Sequence, residues 1–244
     1  MINNKICLSG NFLKVIAAVS MLIDHTGLIL FPGNIFLRII GRISFPIFAF
    51  MISEGCYHTR NKIKYFLGIF LLSLLCQGAY FVFDKRLDMC VLVTFSLSIL
   101  LIYAMDYFKD AIFNVKCSAK AKYLSFAAFL LSLAAVCILN IYFDIDYGFW
   151  GCMLPVFASV FRNRKNNSYA FLNRFDKNII HVIMLGVGAC FVSVDLGGIQ
   201  GFSLFAIPVL MFYSGKRGKL EMKWFFYVFY PLHLVVLQII NMFV

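Results

Sequence analysis

The stretch FLKVIAAVSMLIDHTGLILF, residues 12–31, is an apolar run with one lysine, Lys14, near its start and an acid next to an imidazole further along. About 20 consecutive apolar residues cross the hydrocarbon core of a bilayer as a helix. A carboxylate at the bilayer centre costs roughly 2.5–3.5 kcal/mol on insertion scales. Asp24 and His25 therefore need partners, and ionisable residues in such a position are candidates for function.

The composition of the whole chain is that of a multi-pass membrane protein. Its 244 residues are 62% hydrophobic and 14% charged, whereas soluble domains are about 45–50% apolar. We predict a single all-α domain over residues 1–244, built as a bundle of transmembrane helices. No cleavable signal peptide is expected, because the first apolar run is long enough to be a span and lacks a small-residue cleavage pattern.

Apolar runs and basic residues together predict the topology. Nine candidate spans cover residues 12–31, 36–54, 65–83, 89–105, 123–143, 147–161, 178–194, 198–214 and 224–244. With a cytoplasmic N-terminus, 18 of the 22 Lys and Arg residues lie on the inner side. This bias favours a protein of the inner (plasma) membrane with its N-terminus inside and its C-terminus outside. The net charge of +11 follows from the same bias, so the expected partner is membrane lipid and not nucleic acid.

The eight cysteines are scattered, and no two have CxxC spacing. We interpret them as small apolar residues within the spans. No metal site is expected.

Two arginines of the second run are predicted to meet Asp24. Arg38 and Arg42 are four residues apart, so they share one face of a helix. They lie near the predicted outer end of their run, at the depth of Asp24. Two guanidinium groups against one carboxylate leave a surplus positive charge, which suits an anionic group or a developing oxyanion. A structural ion pair, with one arginine extending to the surface, explains the pattern as well.

Two histidines lie inside predicted spans. His25 and His233 suit acid–base chemistry, because the reference pKa of histidine is near neutrality. His233 follows Tyr227 by six residues and Tyr230 by three, within FYVFYPLHLVVL at 226–237. Either histidine can instead be a buried structural group. His181, alone at the inner start of the seventh run, is predicted to be structural.

Two predicted inner segments carry basic clusters that suit phosphate groups. In SEGCYHTRNKIKY, residues 53–65, Glu54 and His58 also share a helix face. The second segment is YSGKRGKLEMK, residues 213–223. A topology signal alone would also explain the charges. The basic residues of the two segments are Arg60, Lys62, Lys64, Lys216, Arg217, Lys219 and Lys223.

An acidic motif, DIDYGFWG at residues 144–151, is predicted on the outer side. Asp144 and Asp146 fall at a predicted helix start, where acids are favoured by the helix dipole. They could equally contact an amine substrate.

The order of these motifs resembles the TraX family, whose named member N-acetylates F-type conjugative pilin. The resemblance covers most of the chain and includes LKVIAAVSMLIDHTG, LRIIGRISFPIFAFMISEGCYHTRN, DIDYGFWG, GKRGK and FYVFYPLHLVVL. It implies an integral-membrane acyltransferase that uses cytosolic acetyl-CoA (acyl-CoA). The matching positions are Asp24, His25, Arg38, Arg42, Glu54, His58, Arg60, Asp146, Tyr147, Gly148, Tyr227, Tyr230 and His233.

The resemblance gives these residues expected roles. His25 would be the general base or a transient acyl carrier, Asp24 would orient a partner or stabilise the imidazolium, and His233 would be a second acid or base or would bind the thioester. The basic residues of the two inner segments would hold the donor phosphates. Arg42 or a tyrosine hydroxyl would stabilise the oxyanion. The residues assigned to the substrate or oxyanion are Arg38, Arg42, Glu54, His58, Asp146, Tyr147, Tyr227 and Tyr230.

The acceptor stays open between a pilin N-terminus, a sugar and a lipid headgroup. Two other functions fit the same residues. A proton-coupled transporter would use the buried ionisable groups as its pathway. A structural component of a conjugation or secretion assembly would pair them all and carry out no chemistry.

Overall fold

A computed structural model of the chain describes residues 7–84, 89–163, 169–219 and 222–243. These residues are helical with short connections, and their only β-bridges are isolated, at Leu8–Tyr213 and Met89–Ile145. The all-α prediction is confirmed. The helices are α1 Gly10–Ile29, α2 Ile35–Gly41, α3 Ser44–His58, α4 Lys62–Asp84, α5 Val91–Phe113, α6 Ala119–Tyr142, α7 Gly148–Ser159, α8 Ala170–Phe175, α9 Asn178–Leu196, the 3₁₀ helix Gly198–Phe205, α10 Ala206–Met211 and α11 Lys223–Asn241.

Five helical stretches of the described residues are long and apolar enough to cross a membrane. Shorter apolar helices cover Gly148–Ser159, Gly198–Met211 and Phe225–Asn241. Several apolar helices therefore support a multi-pass membrane protein, while the count of nine spans and the N-in orientation stay predictions. The five stretches are Gly10–Ile29, Ile35–His58, Val91–Phe113, Ala119–Tyr142 and Asn178–Leu196.

The chain forms two compact units. The first contains residues Met1–Met51 and Ala189–Val244, and the second contains Ile52–Gly188. In the first unit, α1 packs against both α2 and α11, and the 3₁₀ helix packs against α2.

Two glycines let α1 and α2 approach each other closely. A Cβ added at Gly27 of α1 would lie 2.7 Å from the Cβ of Leu37, and one at Gly41 would lie 2.2 Å from the Cβ of Asp24. Small residues at a contact between membrane helices allow such an approach, since packing is a main source of their association. Gly41 therefore brings the end of α2 against Asp24.

α1 and α11 run in the same direction. The ammonium group of Lys14 lies 5.9 Å from the ring centroid of Phe226. Further along both helices, the rings of His25 and His233 are 5.0 Å apart between centroids. Since Lys14 precedes His25 and Phe226 precedes His233, the two helices are parallel.

The second unit is centred on α5, which packs against α4, α6 and α7. Side-chain hydroxyls help to hold α7: Thr94 Oγ1 donates to the carbonyl of Asp146, and Ser98 Oγ donates to that of Cys152. The outward side chains of α6 are strongly apolar, with Leu131 70% and Ile141 78% exposed. A surface of this kind suits lipid contact better than water.

Candidate functional site

Asp24 is held by both arginines that the sequence pairs with it. Its Oδ2 lies 2.6 Å from Arg38 Nη1, and its Oδ1 lies 2.6 Å from Arg42 Nη2. Arg38 also donates to the backbone carbonyl of Asp24, at 3.2 Å. Asp24 is buried, with 8% of its surface exposed. Charge-assisted bonds of this length are the strong ones, and they offset the cost of burying the carboxylate.

A glutamine that sequence reasoning missed completes this group. Gln200 of the 3₁₀ helix accepts from Arg42 Nη1 through its Oε1, at 3.2 Å, and is 3% exposed. A polar side chain inside the apolar run 198–214 was the available signal, because such residues in spans need partners. We call Asp24, Arg38, Arg42 and Gln200 the arginine cluster.

His25 of α1 and His233 of α11 contact each other, and backbone carbonyls assign their tautomers. His233 Nδ1 lies 3.0 Å from the Phe229 carbonyl, which can only accept, so this nitrogen carries the hydrogen. His25 Nδ1 lies 2.9 Å from the Met21 carbonyl and 3.3 Å from His233 Nε2. Both of these neighbours are acceptors, so His25 Nδ1 is also the donor. We call His25 and His233 the histidine pair.

This assignment leaves a lone pair on His25 Nε2. Within the described part of the chain, that nitrogen has no hydrogen-bond partner. His25 is half-buried, whereas His233 is 5% exposed. The arrangement is that of a base whose ring is oriented by a second imidazole. Asp24, adjacent in sequence, directs its carboxylate to the arginines.

Aromatic rings of α11 surround His233. Phe229 stacks on it with ring centroids 5.2 Å apart, and Tyr230 meets it edge-on at 5.7 Å. Tyr230 is buried, and Tyr227, one turn earlier, is half-buried. The predicted tyrosines thus lie on the same helix as His233, and Tyr230 contacts it directly.

The second predicted basic segment closes over the start of α1. The amides of Gly10 and Asn11 donate to the carbonyls of Lys216 and Arg217, at 2.8 and 2.9 Å. The side chains of Lys216, Arg217 and Lys219 are exposed. These contacts place Lys216 and Arg217 at the N-terminal end of α1, where the helix dipole also favours anions. The side chain of Lys223 lies outside the described residues.

The remaining predicted residues lie in the second unit. Glu54 forms ion pairs with Arg162 and, at 3.3 Å, with His58. Arg162 Nε also donates to Ser53 Oγ, which is 2.7 Å from Ser159 Oγ. We call Ser53, Glu54, Ser159 and Arg162 the Glu54 cluster. Arg162 was not predicted as a partner, because a basic residue beyond the sixth run was interpreted as a topology signal.

Other predicted residues of the second unit are placed as follows. Arg60 and Lys64 are exposed, and Lys62 Nζ lies 4.9 Å from the Tyr103 ring centroid. Tyr147 occupies a left-handed backbone conformation, with φ 63°, at the start of α7. Asp146, just before it, accepts the Thr94 hydroxyl through its backbone carbonyl.

His181 is buried against an acid. Its Nε2 lies 2.8 Å from Asp176 Oδ1, and it is 3% exposed. Burial raises the pKa of Asp176, but the hydrogen bonds from His181 and from the Asn163 amide outweigh this and hold the pKa below its ordinary value. A structural role for His181 agrees with this contact.

The first unit therefore places a charged cluster and a histidine pair inside a helical membrane protein. A family model described as TraX protein matches residues 9–241, and the chain belongs to the TraX family.

Two curated relatives extend this comparison. The "Probable fimbrial assembly protein FimC, serogroup H1" of Dichelobacter nodosus is 25% identical over 243 residues, which cover 95% of each chain. An uncharacterized protein, RP591, of Rickettsia prowazekii (strain Madrid E) is 45% identical over 47 residues, or 19% of each chain. No solved structure gives a significant match.

Proposed function

We propose that this protein is a membrane acyltransferase that moves an acetyl group from cytosolic acetyl-CoA to an amine or hydroxyl acceptor. The observation that carries the proposal is the histidine pair, in which His25 Nδ1–H faces two acceptors, the Met21 carbonyl at 2.9 Å and His233 Nε2 at 3.3 Å, and His25 Nε2 keeps its lone pair. A histidine placed in this way inside a span is suited to proton transfer, because its reference pKa is near neutrality.

In the proposed reaction, the amine nitrogen or hydroxyl oxygen of the acceptor attacks the thioester carbonyl. His25 Nε2 takes the proton that this nitrogen or oxygen loses. The new C–N or C–O bond forms, the C–S bond breaks, and the CoA thiolate receives the proton from the His25 imidazolium. The Met21 carbonyl and His233 Nε2 both face the Nδ1 hydrogen of His25, so they hold the ring in one tautomer, and His233 stabilises the positive charge that develops on it.

The exposed cations of the loop that closes over α1 would hold the donor phosphates. Lys216 and Arg217 lie beside Gly10, at the beginning of the helix that carries His25. Fifteen residues separate Gly10 from His25, which is about 22 Å along the helix at a rise of 1.5 Å per residue. The pantetheine arm would therefore have to extend along α1 to bring the thioester to His25.

The similarity to a probable fimbrial assembly protein over 95% of both chains supports an acceptor that belongs to a surface fibre. Membership of the TraX family agrees with a role in fibre assembly, and the family model matches almost the whole chain, residues 9–241. An acetylated pilin N-terminus, or a sugar or lipid used in building the fibre, fits the proposed chemistry.

Release of thiol from acetyl-CoA by the purified protein in detergent tests the proposal. We expect His25→Gln to lower this rate by about 10²–10⁴-fold, the usual contribution of a general base. His233→Gln should lower it less, since His233 acts by orienting His25.

His181→Gln is the matched control, because it makes the same change in a buried histidine of the second unit. Its rate per folded molecule should equal that of the wild type. A rate that is unchanged in both His25→Gln and His233→Gln would contradict the proposal.

A further inference from the structure

Counted over its own members, the arginine cluster is not balanced in charge. One carboxylate, Asp24, meets the guanidinium groups of Arg38 and Arg42, so the three side chains carry one net positive charge. The side chains of Asp24 and Arg42 are only 11% and 12% exposed. A buried net charge is unfavourable in a low-dielectric region unless another charge compensates it.

Gln200 presents an unused donor beside this charge. Its Oε1 accepts from Arg42, and the reverse orientation of the amide would bring two donors together, so the position of Nε2 is fixed. That Nε2 is buried and has no hydrogen-bond partner among the described residues. Native proteins leave few such groups unsatisfied.

Ser203 adds a second donor on the same side of the 3₁₀ helix. Residues i and i+3 eclipse each other in this type of helix, which places Ser203 in line with Gln200. Ser203 is 1% exposed, and its Oγ is also without a partner in the described part of the chain. A water molecule would accept hydrogen bonds from both donors but would leave the positive charge uncompensated. An anion would accept both hydrogen bonds and also compensate the charge.

We propose that Gln200, Ser203 and the two arginines form a subsite for a singly charged oxyanion, a carboxylate or a phosphodiester. A phosphate monoester carries about −1.5 to −2 charges at neutral pH, which exceeds the single positive charge here. The subsite is therefore matched to a group with one negative charge.

This subsite is distinct from the proposed position of the donor phosphates. Asp24 follows Gly10 by 14 residues, or about 21 Å along α1, whereas the basic loop contacts Gly10 itself. The oxyanion therefore belongs to the acceptor. This last step rests on the proposed acyl transfer, but the binding of an anion does not.

Thermal unfolding of the purified full chain in a nonionic detergent, without any acyl donor, tests the subsite. Acetate and dimethyl phosphate are the probes, each compared with chloride at equal ionic strength. We expect one or both to raise the unfolding midpoint by about 2–4 °C at concentrations a few times above the dissociation constant. A response to acetate indicates an acceptor carboxylate, and a response to dimethyl phosphate alone indicates a phosphodiester such as that of a lipid headgroup.

Gln200→Glu supplies the missing carboxylate from the protein and should abolish the response without lowering the midpoint. Ser203→Ala removes one oxygen and should weaken binding of the probe several-fold, which keeps the test available if Gln200→Glu does not fold. Gln238→Glu, on the half-buried Gln238 of α11, makes the same chemical change elsewhere and should keep the response.

Two results would overturn the subsite: no response of the wild type to either probe, or a response that survives both Gln200→Glu and Ser203→Ala. Failure of the acyltransferase proposal looks different. In that case acetyl-CoA is not cleaved, while the anion response in the absence of donor persists.

Discussion

The arginine cluster and the Glu54 cluster both bury an acid against a guanidinium group, but they differ in balance. In the Glu54 cluster, one glutamate meets one arginine, with the exposed His58 beside it, and the hydroxyls of Ser53 and Ser159 extend the network. In the arginine cluster, one aspartate meets two arginines. A charge-balanced cluster joins the helices that carry it, whereas a surplus buried charge costs stability unless another charge compensates it.

The histidines His25 and His181 of the two units also differ, in the partners of their ring nitrogens. His181 directs Nε2 to the carboxylate of Asp176. His25 Nδ1 donates toward the Met21 carbonyl and His233 Nε2, and its Nε2 has no partner within the described ranges. His181 Nδ1 is also without a partner among the described residues, but His181 is 3% exposed, whereas His25 is half-buried, so the lone pair of His25 is the more accessible to a proton donor.

The largest effect on stability is expected from Asp24→Asn. This change leaves both guanidinium groups buried against a neutral amide, and removal of one partner of a buried ion pair costs about 3–5 kcal/mol. Denaturant unfolding of the purified protein in detergent measures the loss. Asp195→Asn, at an exposed acid near the end of α9, should change stability by less than about 0.5 kcal/mol. Equal effects of the two variants would contradict the role given to Asp24.

The sequence predicts the members of the arginine cluster for a definite physical reason. Asp24, Arg38 and Arg42 are charges in apolar runs, and burial forces such charges to find partners. Their depth in two consecutive runs was sufficient to place them together. The histidines required the fold as well, since 208 positions separate His25 from His233 along the chain, and only the parallel packing of α1 and α11 brings them into contact.

Sequence reasoning failed where a residue type had a commoner explanation. Arg162 follows the sixth apolar run, where positive charge usually signals topology, so its ion pair with Glu54 was not expected. Gln200 carries no charge and adjoins a glycine-rich turn. Periodicity and charge counts do not predict which neighbour an uncharged polar side chain will meet.

A smaller effect is expected when the contact between α1 and α2 is forced apart. Gly41→Ala places a Cβ 2.2 Å from the Cβ of Asp24. Overpacking of this kind costs about 1–3 kcal/mol, and here it also stretches the bonds from Arg38 and Arg42. Gly33→Ala is the control, because its Cβ would meet nothing within 4 Å. The difference in denaturation midpoint between the two alanine variants measures the effect, and identical midpoints would show that the approach at Gly41 is not tight.

The smallest effect is expected in the second unit, and it depends on pH. Asp176 has a pKa below its ordinary value, because the hydrogen bonds from His181 and the Asn163 amide, with the charge of Arg162, outweigh the effect of burial. A lowered folded-state pKa contributes stability that is present above the unfolded pKa, about 3.9, and is lost as the pH falls through the folded value. Asp176→Asn keeps an acceptor oxygen, so it should cost about 1 kcal/mol at neutral pH. The difference in unfolding free energy between wild type and variant should shrink below about pH 4. If that difference instead grew as the pH fell, the fold would favour the protonated form of Asp176. The contact with His181 would then raise the pKa of Asp176 and not lower it.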